Sequence, residues 1–90
     1  MAHGSVGIIE TVGFVSLAQA VDTMVKTARV RVLRYEKVGD AIVSVCVVGD
    51  IGAVRVAVDA GLRAAEALGE AKAAVIANPS PGLAALLNTE

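Results

Sequence analysis

The residues best suited to chemistry lie in the segment YEKVGDA, which runs from position 35 to position 41. Glu36, Lys37 and Asp40 surround Gly39 there, between two stretches rich in valine. Charges of both signs at one chain reversal can pair with each other or form a charged surface. The segment is therefore a candidate functional site. The elements on either side of it determine the direction in which these charged side chains point.

No catalytic or metal-binding pattern stands out elsewhere in the chain. His3 is the single histidine, and no second ligand stands at metal-site spacing from it. The single cysteine, Cys46, lies in the apolar run IVSVCVV, which predicts a buried, reduced thiol packed as a small hydrophobe. The acidic residues are accounted for by helix surfaces, a helix cap and the reversal, so paired-carboxylate catalysis has little support. We expect no catalytic residue, no metal and no cofactor.

The composition demands more apolar burial than one small domain provides. Of the 90 residues, 56% are apolar, and the mean hydropathy is +0.69. A domain of this size buries only about 60% of the surface that its unfolded chain exposes. No apolar run approaches the length of about 20 residues that a membrane-spanning helix needs, and the N-terminus lacks the pattern of a secretion signal. We expect a cytoplasmic protein that covers its apolar surface by self-association, in preference to a monomer with apolar patches.

The charge balance excludes two classes of partner. Eight basic and nine acidic residues leave a net charge of -1, so no overall field attracts nucleic acid or an anionic membrane. Phe14 and Tyr35 are the only aromatic residues, so stacking platforms for bases are missing as well. We therefore expect neither nucleic acid nor a membrane among the partners.

The hydrophobic periodicity predicts seven elements. Strands are predicted at 4–12, 30–35, 42–48 and 72–77, and helices at 14–28, 51–68 and, after a Pro-rich break, 83–87. Asp22 and Lys26 stand four residues apart on the first helix and support it as an ion pair. Asp50 is a candidate N-cap of the second helix, worth about 1 kcal/mol. The alternation around Val30 and Val32 is typical of a strand with one buried face.

The order of the elements predicts one α+β domain. The connection from position 36 to position 41 suits an antiparallel hairpin and is too short for a parallel crossover. A β-α-β-β-α-β order favours the ferredoxin-like, split β-α-β arrangement, a four-stranded antiparallel sheet with two main helices on one face. We expect a single domain over residues 1–90, with a core at about 5–77 and a tail at 78–90 that carries a short C-terminal helix.

Four segments together resemble a known family. VGIIETVGF, AVDTMVKTARV, YEKVGDA and VGDIGAVRVAVDAG follow one another in the order and with the spacing of the single-domain, hexamer-forming shell proteins of bacterial microcompartments, the BMC family. The likeness covers residues 6 to about 76. Each segment alone is weak, whereas the combination is specific.

This resemblance implies a structural function. It implies a cyclic hexamer that tiles edge to edge into a protein shell in the cytoplasm, around encapsulated enzymes. The other implied partners are further shell paralogues and pentameric vertex proteins. In the family, the loop after the second strand lines a narrow central pore for small metabolites, and Lys37, Val38, Gly39 and Asp40 occupy the matching positions.

Asp40 departs from the family pattern, because similar proteins often carry a small residue there. Six carboxylates around a pore would form a negative ring that favours cations. Two such charges about 6 Å apart repel by about 0.7 to 3 kcal/mol, so pairing with Lys37 is an expected response. The alternative is that Asp40 only hydrogen-bonds its own turn. Gly39 is expected to permit a tight turn, with access to positive φ.

Two further positions match the hexamer edge of the family. Lys26 corresponds to a lysine that lies against a neighbouring hexamer, and the alternative is a solvated lysine paired with Asp22. Asn78 stands where the family commonly has an edge arginine, and Ser80 lies near the place of a histidine. Because a charge-assisted contact is lost at Asn78, we expect weaker tiling by this chain alone, or a need for a shell paralogue.

A second function class has the same strand order. Small regulatory domains bind an amino acid or a nucleotide between subunits, and they form modest closed oligomers. Saturable binding of such a ligand would favour this alternative. Hexamers that associate further, without a tight ligand, would favour a shell protein.

Overall fold

The computed structural model describes residues 4–87, and all seven predicted elements are present in it. The bounds, in chain order, are β1 Ser5–Val12, α1 Phe14–Thr27, β2 Arg31–Lys37, β3 Ile42–Gly49, α2 Ile51–Glu66, β4 Ala71–Ile76 and α3 Pro81–Leu87. The expectation for His3 lies outside the described residues, as do the last three residues of the tail. Over residues 4–87, no helix is long and apolar enough to cross a membrane.

The ends of α2 differ in two details from the prediction. The helix ends at Glu66, two residues early, because the amides of Leu68 and Gly69 both donate to the carbonyl of Ala65 and close a turn there. At the other end, Asp50 occupies the N-cap position with extended backbone, but its side chain makes no capping hydrogen bond. The expected stabilisation by the Asp50 carboxylate was therefore wrong.

The four strands form one antiparallel sheet in the order β2-β3-β1-β4. This order confirms the split β-α-β arrangement, in which the two strands joined to the first helix are separated by a third strand. Alternation along the strands divides the side chains between two faces of the sheet. Helices α1 and α2 pack on the face that contains Ile9, Val45 and Val47, which we call the helix face.

The main core lies between the helix face and the two helices. Ile9, Leu17, Met24 and Val54 are buried there almost completely. Gly61 allows α2 to approach α1 closely, since a Cβ atom at this position would lie 2.6 Å from Cγ of Met24. Small residues on α2 therefore set the spacing of the helix layer.

A smaller core lies on the opposite face of the sheet. Val6, Cys46 and Val48 are buried there, and Leu87 of α3 packs against them. Burial raises the pKa of the Cys46 thiol, and the positive charge of Arg34 opposes this rise only in part. A neutral, buried thiol is a poor nucleophile, as the sequence predicts.

Strand β2 contradicts the expectation of a buried face. It lies at one edge of the sheet, and of its seven residues only Leu33 is partly buried. The register of its pairing with β3 shifts between Val32 and Arg34. Val32 and Tyr35 of β2 are therefore exposed in the isolated chain.

The register defines two ends of the sheet. At the hairpin end, β1 and β2 finish at Val12 and Lys37, while β3 and β4 begin. At the opposite end, which we call the distal end, the last residue of β4, Ile76, pairs with Val6, and β2 begins at Arg31. Each connection between a strand and a helix, and the start of the tail, therefore lies at one of these two ends.

Candidate functional site

The candidate pore segment is a tight hairpin at the hairpin end of the sheet. Four residues, 38–41, join β2 to β3. The amide of Val38 donates to the carbonyl of Ile42 over 2.8 Å, which closes the reversal. The amide of Gly13 donates to the carbonyl of Ala41 over 2.7 Å, which ties the hairpin to the junction of β1 and α1. Backbone hydrogen bonds therefore position the loop from two sides.

The four candidate pore residues are all exposed on this hairpin. Val38 has 60% of its surface in solvent, and Lys37, Gly39 and Asp40 are likewise exposed. Within residues 4–87, neither Lys37 nor Asp40 makes an ion pair, whereas Glu36 pairs with Arg34 over 3.2 Å. The side chain of Asp40 also makes no hydrogen bond within this range. The alternative in which Asp40 bonds its own turn is therefore not seen.

Gly39 does not adopt the positive φ that the sequence suggested as an option. Within residues 4–87, the one glycine with positive φ is Gly13, at 95°. A Cβ atom on Gly39 would meet nothing within 4 Å. The isolated hairpin therefore has no steric need for glycine at this position.

The candidate edge residue Lys26 lies near the end of α1, which leads to the distal end. Its Nζ atom lies 2.9 Å from Oδ2 of Asp22, as the spacing predicts. Both side chains are more than half exposed, at 73% and 53%. Such a surface pair contributes little, about 0 to 1 kcal/mol, so it can exchange for another contact.

Asn78 also lies at the distal end, because it follows the last residue of β4 by two positions. It is exposed. The hydroxyl of Ser5 donates to the carbonyl of Ala77 over 2.6 Å and holds this segment against β1. The structure thus places Lys26 and Asn78 at the end of the sheet opposite to the hairpin.

Ser80 has a role that the sequence reasoning missed. Its Oγ atom accepts a hydrogen bond from the amide of Leu83 over 3.2 Å, and its carbonyl accepts one from Ala84 over 2.8 Å. Ser80 therefore caps α3, which begins two residues earlier than predicted. The signal was present in the sequence, because serine followed by proline is a common start of a helix.

One hollow at the hairpin end has three glutamates among the residues that line it. It has a volume of about 620 Å³ and is bordered by Glu10, Glu66, Glu70 and Lys72. Across the described residues, no group of three or more His, Cys, Asp or Glu side chains is placed to hold a metal ion. The three glutamates of this hollow therefore do not form such a group.

Comparison with known proteins connects this geometry to a family. Residues 5–79 match the BMC domain. The chain is 47% identical over 73 residues to the bacterial microcompartment shell protein PduA of Citrobacter freundii. This alignment covers 81% of this chain and 78% of that protein. It is 48% identical over 62 residues to the carboxysome shell protein CcmK2 of Synechococcus elongatus. This alignment covers 69% of this chain and 61% of that protein.

The fold is also found among solved structures. A microcompartments protein from Desulfitobacterium hafniense DCB superposes with a TM-score of 0.81 and 27% sequence identity. The alignment covers 99% of this chain and 49% of that protein, so this chain spans about half of the other one. The matched residues include both the hairpin and the distal end, and the chain belongs to the BMC domain family.

Proposed function

We propose that this chain is a structural shell protein of a bacterial microcompartment, which forms cyclic hexamers with a central pore and tiles edge to edge. Its role is to build a wall and not to catalyse a reaction. Membership of the BMC domain family and the likeness to PduA and CcmK2 support the shell role.

The candidate pore residues and the candidate edge residues lie at opposite ends of the sheet, and this separation supports the proposal of a ring. Lys37, Val38, Gly39 and Asp40 lie at the hairpin end, whereas Lys26 and Asn78 lie at the distal end. A ring needs one end of each subunit near the symmetry axis and the other at the perimeter. The hairpin end lines the pore and the distal end meets neighbouring hexamers.

The exposed apolar surface supports self-association. Phe14, Val15 and Leu86 have 60%, 72% and 73% of their surfaces in solvent, and β2 adds the exposed Val32 and Tyr35. Burying apolar surface contributes about 25 cal/mol for each Å², so contact between copies is favourable. A hexamer covers surface that the thin core of one chain leaves in water.

The pore passes small metabolites, and Asp40 biases it against anions. Six copies of Asp40 around one axis create a negative ring at the hairpin tips. Other shell proteins, pentameric vertex proteins and the enclosed enzymes are the partners of the assembled wall. Asn78, in the place of an edge arginine, makes tiling depend more strongly on such partners.

Native mass spectrometry followed by negative-stain electron microscopy tests this function. We expect a mass of six chains and flat, six-sided particles with a central depression. A stable monomer in dilute buffer would refute the proposal. A modest oligomer that binds an amino acid or a nucleotide saturably, and does not associate further, would favour a regulatory domain instead.

A further inference from the structure

The short helix α3 covers the smaller core on the face of the sheet opposite to α1 and α2. Val6, Cys46 and Val48 form the buried part of this smaller core. The partly buried side chains around them come from the strands, with one exception. Among the described residues, Leu87 is the one member of the cluster that lies outside the sheet. Helix α3 is therefore the element that shields this core from solvent.

Burial on this face is limited to the part that α3 covers. At the distal end, Val48 pairs with Val6, and both are buried. Towards the hairpin end of the same face, Ser44 and Glu10 are only partly buried and Lys72 is exposed. The sheet alone thus leaves this face accessible, and the cover decides which part of it is closed.

The attachment of α3 to the sheet is weak. None of its seven residues is buried. Within residues 4–87, no hydrogen bond or ion pair joins α3 to the sheet, since the bonds of Ser80 with the amides of Leu83 and Ala84 lie inside the segment itself. A helix of this length is also not stable alone in water. Its order therefore depends on the apolar contact that Leu87 makes with the smaller core.

The chain before α3 is fixed more firmly than α3 itself. Ile76 pairs with Val6 in the sheet, and the hydroxyl of Ser5 donates to the carbonyl of Ala77 over 2.6 Å. Only positions 78 and 79 lie between this anchor and the cap of α3 at Ser80. The helix can therefore leave the sheet as a unit while β4 stays paired.

We propose that α3 is a hinged cover, which alternates between a docked and a released state while the sheet and the main core stay folded. The hinge is the connection at positions 78 and 79. Release exposes the smaller core, including the thiol of Cys46. The contacts that carry this inference lie within one chain, so it does not depend on the proposed hexamer.

The two faces of the sheet differ in this respect. Leu17 and Met24 of α1 and Val54 of α2 are almost completely buried, so release of either helix would open the main core. Release of α3 opens only the smaller core, and local openings of this kind occur without global unfolding. One face of the molecule is therefore permanent, whereas the other presents an apolar patch at the distal end only in the released state.

Cys46 provides a probe of release that is already in the chain. In the docked state its thiol is 5% exposed, and burial raises its pKa, so little of the reactive thiolate is present. Labelling by a small neutral reagent therefore requires that α3 moves away. The rate of labelling measures how often this happens.

The labelling rate with N-ethylmaleimide is measured at fixed pH and at several urea concentrations below the unfolding transition. We expect a rate that is nearly independent of urea, because release of α3 exposes little surface. A rate that rises with urea as steeply as global unfolding would overturn the proposal, since the thiol would then react only in the unfolded chain.

Leu87→Ala should raise the labelling rate about three- to tenfold, a fraction of the effect of truncating a fully buried leucine. Leu86→Ala is the matched control, because Leu86 is 73% exposed in the same helix. Both variants exchange leucine for alanine, so a change in helix propensity is common to the two. Equal effects of the two variants would contradict the proposal.

Hydrogen exchange measured by mass spectrometry gives a readout that does not involve the thiol. The amide of Ala84, bonded to the carbonyl of Ser80, should exchange much faster than the amide of Val54, which is bonded to Asp50 at the start of α2. Leu87→Ala should increase exchange in the peptide 80–87 and leave α2 unchanged. Protection of α3 equal to that of α2 would overturn the proposal.

The outcomes separate this inference from the proposed function. Hexamers in which Cys46 reacts only through global unfolding would overturn the hinged cover and leave the shell role standing. A stable monomer with a urea-independent labelling rate would refute the hexamer and support the hinged cover.

Discussion

Asp40 carries the charge at the tip of the hairpin, and its position relative to Lys37 decides how far the two charges cancel. Lys37 is the last residue of β2 and pairs with Val43, so its side chain belongs to the helix face. Asp40 lies beyond the strand in the four-residue loop. In the proposed ring, the aspartates therefore lie closer to the hairpin tips than the lysines do, and we expect the tips to carry a negative charge.

Asp40→Asn should raise the passage of anions relative to cations through the assembled pore. The change removes six charges without altering the size of the side chain. Repulsion of only about 0.7 kcal/mol corresponds to about threefold in the permeability ratio at low salt. Conductance of hexamers in a planar bilayer, measured with ions of both signs, checks this.

Asp59→Asn is the matched control for Asp40. Asp59 is an exposed acid on α2 that pairs with Arg63 over 2.9 Å, and its loss should leave the permeability ratio unchanged. An unchanged ratio in Asp40→Asn as well would mean that its carboxylate does not face the lumen.

The helix layer depends on glycines at points of close approach. Gly7 of β1 lies beneath α2, where a Cβ atom would collide with a methyl group of Val58 and lie 3.0 Å from one of Val54. Gly61 plays the same part between α2 and α1. Because α1 and α2 together cover one face of the sheet, their distance from the sheet also sets the shape of that side of the molecule.

Gly7→Ala should destabilise the fold by about 1 to 3 kcal/mol, the usual cost of overpacking a filled core. Gly52→Ala is the matched control, because a Cβ atom there meets nothing within 4 Å and alanine favours a helix by up to about 1 kcal/mol. Chemical denaturation at one fixed protein concentration measures both changes. A neutral effect of Gly7→Ala would show that α2 can move away from the sheet at little cost.

The whole molecule is a flat slab with two distinct ends. Its principal extents are 34 × 27 × 15 Å, which suits a tile in a thin wall. In the proposed function, the hairpin end lines the pore and the distal end meets neighbouring hexamers. Self-association of such slabs is the proposed explanation for the apolar surplus of the composition.

Lys26→Asp should reduce the formation of extended sheets while hexamers persist. The change places a negative charge where the proposed edge contact needs a donor, whereas loss of the pair with Asp22 costs no more than about 1 kcal/mol. Arg63→Asp is the matched control, since it also breaks an exposed pair of residues four apart on a helix. Negative-stain imaging counts the sheets and native mass spectrometry counts the hexamers.

Asn78→Arg tests the same edge in the opposite direction. Restoring a charged donor at the distal end should promote sheets at lower protein concentration. If Lys26→Asp and the Arg63→Asp control assemble equally, Lys26 has no part in tiling.

The sequence was sufficient for the elements and their order. Periods of two and of three to four residues, broken by Gly13, Gly69 and the segment NPSPG, predicted all seven elements to within about two residues at most ends. The pair of Asp22 and Lys26 and the burial of Cys46 were predicted as well. These features depend on neighbours a few positions apart, which a pattern along the chain records directly.

The remaining features depend on contacts between distant parts of the chain. Whether β2 is buried depends on which strands flank it, and its place at the edge of the sheet leaves Val32 and Tyr35 in solvent. The extended backbone at Asp50 leaves its side chain unbonded, and the positive φ falls at Gly13 and not at Gly39. The contact between the rings of Phe14 and Tyr35 exists only after the fold has brought α1 beside β2, because it is formed by packing between residues distant in the sequence.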